Sequence, residues 1–247
     1  MESPRSDLAW MALQVDALFE SDAHGRLLRW RSPGSAEPLP RFFLGRTRHG
    51  QLWRFAAGLE PGLVRELARL AALERLDHPL DEPPERLEFL RRRLAEHAPI
   101  ERSWAGPAFR FPASASAPTT EPADADADAD GLVLLTPDRV ALLGDELPAL
   151  AATLAARQPC VAATEGGRVV SACYVATRSA LAAEAGVETL PGFRGRGFAT
   201  RAVAAWAAAV ARDGLLPLYS TEWSNRASRA LAQRLGLIRY GVDLHLR

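Results

Sequence analysis

The chain has 247 residues, of which 48% are hydrophobic and 24% charged, a composition typical of a soluble globular protein of one large domain or two smaller ones. Its 30 basic and 30 acidic residues balance, so net charge does not attract it to nucleic acid or to anionic lipid. Every basic residue is arginine. The absence of lysine excludes a lysine nucleophile, a Schiff base and a phosphate-loop lysine.

Targeting and metal signals are also missing from the sequence. The sequence has no run of about 18 apolar residues, so it predicts no membrane span. The first residues are polar and are not followed by the apolar segment that would indicate a secretory signal. Two cysteines cannot form a disulfide framework, and the five histidines have no metal-ligand spacing. The sequence therefore predicts a cytoplasmic protein with no membrane partner and no metal site.

A compositional break divides the chain. Residues 113–130 contain small and acidic residues that end in an Ala-Asp repeat, which has nothing to bury. This segment is predicted to be a flexible linker. It separates an N-terminal α+β domain of unknown role, residues 1–112, from a C-terminal domain, residues 131–247.

The N-terminal part shows strand and helix patterns without a chemical motif. His49-Gly50 is typical of a hairpin turn, and helical spacing starts at Leu63. The predicted strands are 27–30, 42–45, 52–55 and 104–111, and the predicted helices are 63–76 and 85–97. The four tryptophans of this part are expected in the core.

The C-terminal part alternates strands and helices. Its predicted strands are 132–135, 160–164, 168–176, 187–190, 216–220 and 238–246, and its predicted helices are 138–143, 146–157, 197–212 and 225–235. If Gly166-Gly167 forms a two-residue turn, Cys160 and Cys173 lie directly opposite each other on neighbouring strands. We expect both to be buried free thiols.

The chemical signal is a glycine-rich loop between a strand and a helix. Residues 187–199 read Val-Glu-Thr-Leu-Pro-Gly-Phe-Arg-Gly-Arg-Gly-Phe-Ala, with the helix starting near Gly197. The first N–H groups of a helix have no intrahelical acceptor and lie at its positive dipole end. Gly195 and Gly197 permit unusual backbone angles, and Arg194 and Arg196 add positive charge. Together they predict a diphosphate site.

Three ligand classes use loops of this kind, and a turn without a ligand is the fourth alternative. A Walker A loop needs a lysine that this chain lacks. A dinucleotide loop needs Gly or Ala at Thr200, and it normally lies in the first strand–helix unit of its domain. An acyl-CoA loop of the form Arg/Gln-x-x-Gly-x-Gly/Ala is satisfied by residues 194–199.

With this loop, the strand ending Tyr219-Ser220 and the segment from Asn225 to Leu237, the chain resembles the GNAT superfamily of N-acyltransferases over residues 132–247. The resemblance implies an α/β (α+β) fold whose mixed sheet splays between Val187–Leu190 and Leu216–Ser220 to admit the pantetheine arm of acetyl-CoA. The implied cofactor-binding residues are Thr189, Leu190, Arg194, Gly195, Arg196, Gly197, Phe198, Ala199 and Asn225. Asn225 equally suits an ordinary helix N-cap.

The resemblance also implies direct attack of an amine on the thioester. A free alkylamine is protonated at neutral pH, and Glu188 is the candidate base that takes its proton; an exposed carboxylate or an ion pair is the alternative. Family members often protonate the leaving thiolate with a tyrosine seven residues after the asparagine. That position is Ala232 here. Tyr219 is a weak candidate acid in its place, with Ser220, Tyr240 and solvent as alternatives.

The predicted function is acetyl transfer from acetyl-CoA to a small-molecule or peptide amine. The alternative is a catalytically weak or inactive CoA-binding regulatory module, which the missing tyrosine favours. One strand follows the last helix, where family members commonly have two. The N-terminal part or the second subunit of a homodimer would then complete the sheet, or its edge stays open.

Overall fold

A computed structural model describes residues 5–112 and 131–247, so the predicted linker 113–130 lies outside the described residues. The helices are α1 (Asp7–Leu18), α2 (Pro61–Ala72), α3 (Leu87–His97), α4 (Pro148–Thr153), α5 (Phe198–Arg212) and α6 (Arg226–Arg234). Short 3₁₀ turns span Pro137–Leu143, Leu154–Ala156 and Pro191–Phe193. No helix within these two ranges is long and apolar enough to cross a bilayer.

Eleven strands form two sheets within the described residues. The strands are β1 (Phe19–Ser21), β2 (Leu27–Trp30), β3 (Phe42–Thr47), β4 (Gly50–Phe55), β5 (Ser103–Arg110), β6 (Leu132–Leu134), β7 (Cys160–Glu165), β8 (Arg168–Arg178), β9 (Ala182–Thr189), β10 (Leu216–Ser220) and β11 (Ile238–Leu246). β1 and β2 pair with each other, and the other nine form one mixed sheet in the order β4-β3-β11-β5-β10-β9-β8-β7-β6. This confirms the predicted α+β class.

The N-terminal part completes the C-terminal sheet. β5 lies between β10 and β11 and pairs with both, so that Ser103 is opposite Leu246 and Ala108 is opposite Ser220. The sequence left open whether the N-terminal part, a second subunit or no further strand completes the sheet. The structure shows that the N-terminal part completes it. The predicted segments 1–112 and 131–247 therefore share one sheet, with β3 and β4 extending it beyond β11.

Helix α1 was not predicted from the sequence, and it covers the middle of one face of the sheet. Ser6 caps it by accepting a hydrogen bond from the Ala9 amide. Met11 packs where β3 and β11 carry glycines, and a Cβ added to Gly45 would lie 2.4 Å from the Met11 side chain. Small residues in the two strands thus allow the helix to approach closely.

The two faces of the large sheet carry different helices. The α1 face is covered by α1 and by α4 with its neighbouring 3₁₀ turns. The α5 face is covered by α5 and α6 over one half of the sheet and by α2 and α3 over the other. α5 is alanine-rich and packs closely on β7, β8 and β9, with Trp206 fully buried.

The predicted pairing of the two cysteines is wrong by one residue. A register shift between Ala163 and Thr164 places Cys173 opposite Val161 and Cys160 opposite Tyr174. The cysteine side chains therefore point to opposite faces, because one bulged residue reverses the side on which every later residue lies. Both are buried free thiols, as expected, and burial raises the pKa of Cys160 to about 12.

Candidate functional site

Strands β9 and β10 separate shortly after they meet. They pair in parallel over three residues only, from Leu216 opposite Ala182 to Leu218 opposite Glu184. Beyond that point β9 continues beside β8 alone, while β10 stays with β5. This confirms the predicted splay, although β9 begins earlier than the predicted 187–190.

The splay opens into a cavity of about 790 Å³ that passes through the sheet. Val187 and Tyr219 line it from the α5 face, where both pack with the core under α5. Glu188 and Ser220 are their sequence neighbours and line it from the α1 face. Side chains at neighbouring positions of a strand point to opposite faces of the sheet. Because neighbouring residues of β9 and of β10 both line the cavity, the cavity is open to both faces.

The glycine-rich loop lies at the α5 end of this cavity and has the conformation that its sequence predicts. Gly195 and Gly197 have φ angles of 75° and 87°, in the left-handed region that favours glycine. Gly197 is the N-cap of α5, and no side chain caps the helix, which leaves its first amides available. A Cβ at either glycine would meet nothing within 4 Å. The arrangement fits a diphosphate.

If the loop binds the diphosphate of acetyl-CoA, as its sequence predicts, replacing Gly197 with alanine is expected to weaken that binding about 10- to 30-fold, because a left-handed backbone costs an L-residue about 1–2 kcal/mol and the loop relaxes away from it. Calorimetric titration with acetyl-CoA measures this. Gly214→Ala is the matched control, since Gly214 follows the other end of α5 with a φ of 77° and equally open surroundings. Equal affinity losses in the two variants would contradict a binding role for the loop.

All the residues predicted to bind the cofactor line the cavity except Arg196. Arg196 instead forms a two-point ion pair with Glu165 of the β7–β8 hairpin, with one contact of 2.9 Å. Its guanidinium also lies over the rings of Phe193 and Phe198. Arg194 reaches back to donate to the carbonyl of Thr189 at 3.2 Å. Arg196 therefore buttresses the loop from outside.

The backbone of β9 offers amides to the open gap. The amide of Leu190 donates to Val170 of β8 at 2.9 Å. Since backbone amides alternate in direction along a strand, those of Thr189 and Val187 point away from β8, toward the splay. Two N–H donors therefore face the space between β9 and β10.

Asn225 has the capping role that the sequence left open. It is the N-cap of α6, and its side-chain oxygen accepts from the Ser228 amide at 3.0 Å. It also lines the cavity. The capping bond uses the side-chain oxygen of Asn225.

Glu188 is half-buried on the α1 face, where the Tyr174 hydroxyl donates to its carboxylate at 2.7 Å. Burial, the hydrogen bond and the carboxylate charge hold the pKa of Tyr174 well above its ordinary value. The phenol therefore stays protonated and fixes the carboxylate by donating to it. No ion pair involves Glu188 among the residues the structure describes.

Tyr219 lines the cavity from the opposite face, with its hydroxyl 2.6 Å from that of Ser228 on α6. Burial raises the pKa of Tyr219 to about 12. Ala232, which occupies the position of the family tyrosine, is fully buried against the core under α5. Among the residues that the structure describes, Tyr219 is thus the one tyrosine that lines the cavity.

Trp104 and Glu222 are two of the lining residues that the sequence did not predict. Trp104 of β5 was expected in the core but lines the cavity, with its ring centroid 4.8 Å from that of His245. Glu222 follows β10, and its backbone crosses Gly106 so closely that a Cβ there would lie 2.9 Å from the Glu222 Cα. Only the insertion of β5 beside β10 brings these two residues together, and no local pattern signals it.

Replacing Gly106 with alanine is expected to lower the free energy of unfolding by about 2 kcal/mol. The added Cβ would lie 1.8 Å from the Thr221 carbonyl oxygen, so the backbone that carries Glu222 must move. Denaturant unfolding measures the loss. Gly62→Ala in α2 is the control, because its Cβ meets nothing within 4 Å and alanine favours a helix. Two variants of equal stability would rule out the close crossing.

No group of three or more His, Cys, Asp or Glu side chains in residues 5–112 and 131–247 is arranged to hold a metal ion. The charged residues that line the cavity are two arginines and three glutamates: Arg194, Arg234, Glu146, Glu188 and Glu222.

Comparison with known proteins agrees with this geometry. Residues 157–241, from the start of β7 to the middle of β11, match the family model of GNAT acetyltransferases. Within the C-terminal half of the chain, residues 157–241 therefore make up a GNAT acetyltransferase domain. No curated protein is significantly similar in sequence.

Several solved structures are similar. A GNAT-family acetyltransferase described from Novosphingobium aromaticivorans is 23% identical, with a TM-score of 0.43, over 60% of this chain and 65% of that one. A GNAT-family acetyltransferase from Colwellia psychrerythraea is 14% identical, with a TM-score of 0.41, over 60% and 57%. A GCN5-related N-acetyltransferase-like protein from Streptococcus suis is 16% identical, with a TM-score of 0.47, over 84% of both chains. This chain therefore spans less than two thirds of the length of the first two proteins.

Proposed function

We propose that the protein transfers an acetyl group from acetyl-CoA to a primary amine by direct attack of the amine on the thioester. The observation that carries this proposal is the cavity through the splayed sheet. It connects a diphosphate-binding loop on the α5 face with Glu188 on the α1 face. A donor held from one side can therefore meet an acceptor that enters from the other.

The residues on the α5 side suit the acyl donor. In this proposal the amides at the start of α5 and the guanidinium of Arg194 bind the diphosphate. The amides of Val187 and Thr189 face the gap, where they can hold the pantetheine arm and polarise the thioester carbonyl. Acetyl-CoA supplies the acetyl group already activated as a thioester.

The residues on the α1 side suit the acceptor. Glu188 takes the proton that the ammonium must lose, so that the nitrogen can form its bond to the carbonyl carbon as the carbon–sulfur bond breaks. Tyr219, with a pKa of about 12, is a weaker acid than a thiol of about 8.5. We therefore assign it a hydrogen bond to the departing thiolate, which takes its proton from solvent.

The test combines calorimetric titration of acetyl-CoA with a thiol-release assay over a panel of amines. Saturable binding and amine-dependent release of CoA are the expected result. Binding without release for any amine would favour the regulatory module instead. If acetyl-CoA fails to bind, both functions are wrong.

A further inference from the structure

The charged side chains that line the cavity are segregated between the two faces of the sheet. Arg194 and Arg234 belong to the loop before α5 and to the end of α6, both on the α5 face. Glu188 lies on the α1 face, and Glu222 lies over Gly106 of β5 on that same face. The side left for the acceptor is therefore acidic.

These two carboxylates differ from the other cavity glutamate. Glu146 forms an ion pair with Arg168. In the described parts of the chain, by contrast, neither Glu188 nor Glu222 is ion-paired with an arginine or a histidine. Carboxylates at a half-buried wall without a cation attract one from solution, because their own solvation is incomplete.

Trp104 adds an aromatic surface to the same wall. It belongs to β5 two residues before Gly106, so it lies beside the Glu222 crossing on the α1 face. The ring is packed on His245 and is half-buried rather than buried, so part of it is exposed to the cavity. An indole ring next to a carboxylate is a favourable environment for an ammonium group.

We propose that the acceptor is a diamine, that is, a primary amine with a second cationic nitrogen. The inference rests on the proposed function, since it concerns the same cavity. Glu188 faces the reacting nitrogen, and Trp104 with Glu222 binds the second one. An acceptor with a carboxylate in place of the second nitrogen would meet two like charges and be rejected.

Three acceptors of matched length test this proposal: 1,4-diaminobutane, butylamine and 4-aminobutanoate. In the thiol-release assay kcat/KM is expected to be about ten-fold higher for the diamine than for butylamine, and about a hundred-fold higher than for 4-aminobutanoate. Glu222→Gln should reduce the preference over butylamine to about two-fold and leave the acetyl-CoA affinity unchanged. Glu222→Asp should retain most of the preference. Glu20→Gln, a control on the remote strand β1, should retain all of it.

A binding measurement separates this inference from the proposed function. With CoA present, calorimetry should show saturable binding of 1,4-diaminobutane that Glu222→Gln and Trp104→Leu each weaken about ten-fold. If this binding occurs without turnover of any amine, acetyl transfer is wrong and the diamine site stands. If amines turn over but 4-aminobutanoate is used as well as the diamine, or Glu222→Gln leaves the preference intact, the diamine site is wrong. Absence of diamine binding also overturns it.

Discussion

Replacing Glu188 with glutamine is expected to lower kcat/KM for amine acetylation about 10²- to 10³-fold at neutral pH, because in the proposed mechanism Glu188 is the group that takes the proton of the acceptor. The acetyl-CoA dissociation constant should stay unchanged, since Glu188 lies on the face away from the glycine-rich loop. Steady-state thiol release, paired with calorimetry, measures both quantities.

The pH profile distinguishes a lost base from a distorted strand. An alkylamine with a pKa near 10 loses its proton to solvent as the pH rises. The deficit of Glu188→Gln should therefore shrink toward pH 10, whereas a structural defect would persist. Tyr174→Phe removes the hydrogen bond but keeps the carboxylate, and it should cost about ten-fold at most. A glutamine variant within three-fold of wild type (about 0.7 kcal/mol) would remove Glu188 from the mechanism.

The second large effect concerns stability and the other glutamate of β9. Glu184 sits at the last paired position before the splay and is 4% exposed. Neither of its carboxylate oxygens has a hydrogen-bond partner within the described residues. The pKa of Glu184 is raised from 4.5 to about 8, and burial is the largest of several causes that together give this value. The Asp243 charge contributes to the increase, and Ser220, which is close to the carboxylate without the geometry of a hydrogen bond, partly offsets it.

We expect the free energy of unfolding to fall as the pH rises from about 4.5 to about 8. In this window the folded protein keeps a proton on Glu184 that the unfolded chain has released, so a rising pH favours the unfolded state. A slope of up to about 1.4 kcal/mol per pH unit follows, with the loss complete above the folded pKa.

Glu184→Gln mimics the protonated carboxyl and removes that titration. Its stability relative to wild type should increase by several kcal/mol from pH 5 to pH 9, as measured by urea unfolding at each pH. If the difference in the free energy of unfolding between the two proteins stayed constant across this range, Glu184 would not titrate between pH 5 and pH 9. Asp243 is also buried, and burial raises its pKa as well, so in both proteins Asp243 contributes a slope of the same sign.

The parts that the sequence predicted well are those governed by local chemistry. The loop at Gly195 and Gly197 needs left-handed backbone angles, and a glycine pattern announces that need within a few residues. β10 and β11 also match their predicted bounds. The splay between β9 and β10 was predicted from the same local motif. The motif resembles that of the GNAT superfamily, and a splayed sheet is part of the fold that this resemblance implies.

What the sequence did not reveal depends on pairing between distant segments. The place of β5 between β10 and β11 leaves no local trace, so Trp104 reads as an ordinary core aromatic. The register of the cysteines was missed for a different reason. One bulged residue near Val170 changes which residues face each other, and hydrophobic patterns do not locate bulges.

The central position of β5 constrains the order in which the chain can fold. β3 and β5 leave the ribosome early, but the strand that joins them, β11, is made only with residues 238–246. Their hydrogen-bonding edges and the apolar side chains of Phe43 and Leu44 must wait for it. Such contacts between distant residues slow folding. A chain shortened before Ile238 would keep the complete glycine-rich loop yet lose β11, the strand that holds β5 and its Trp104 in place.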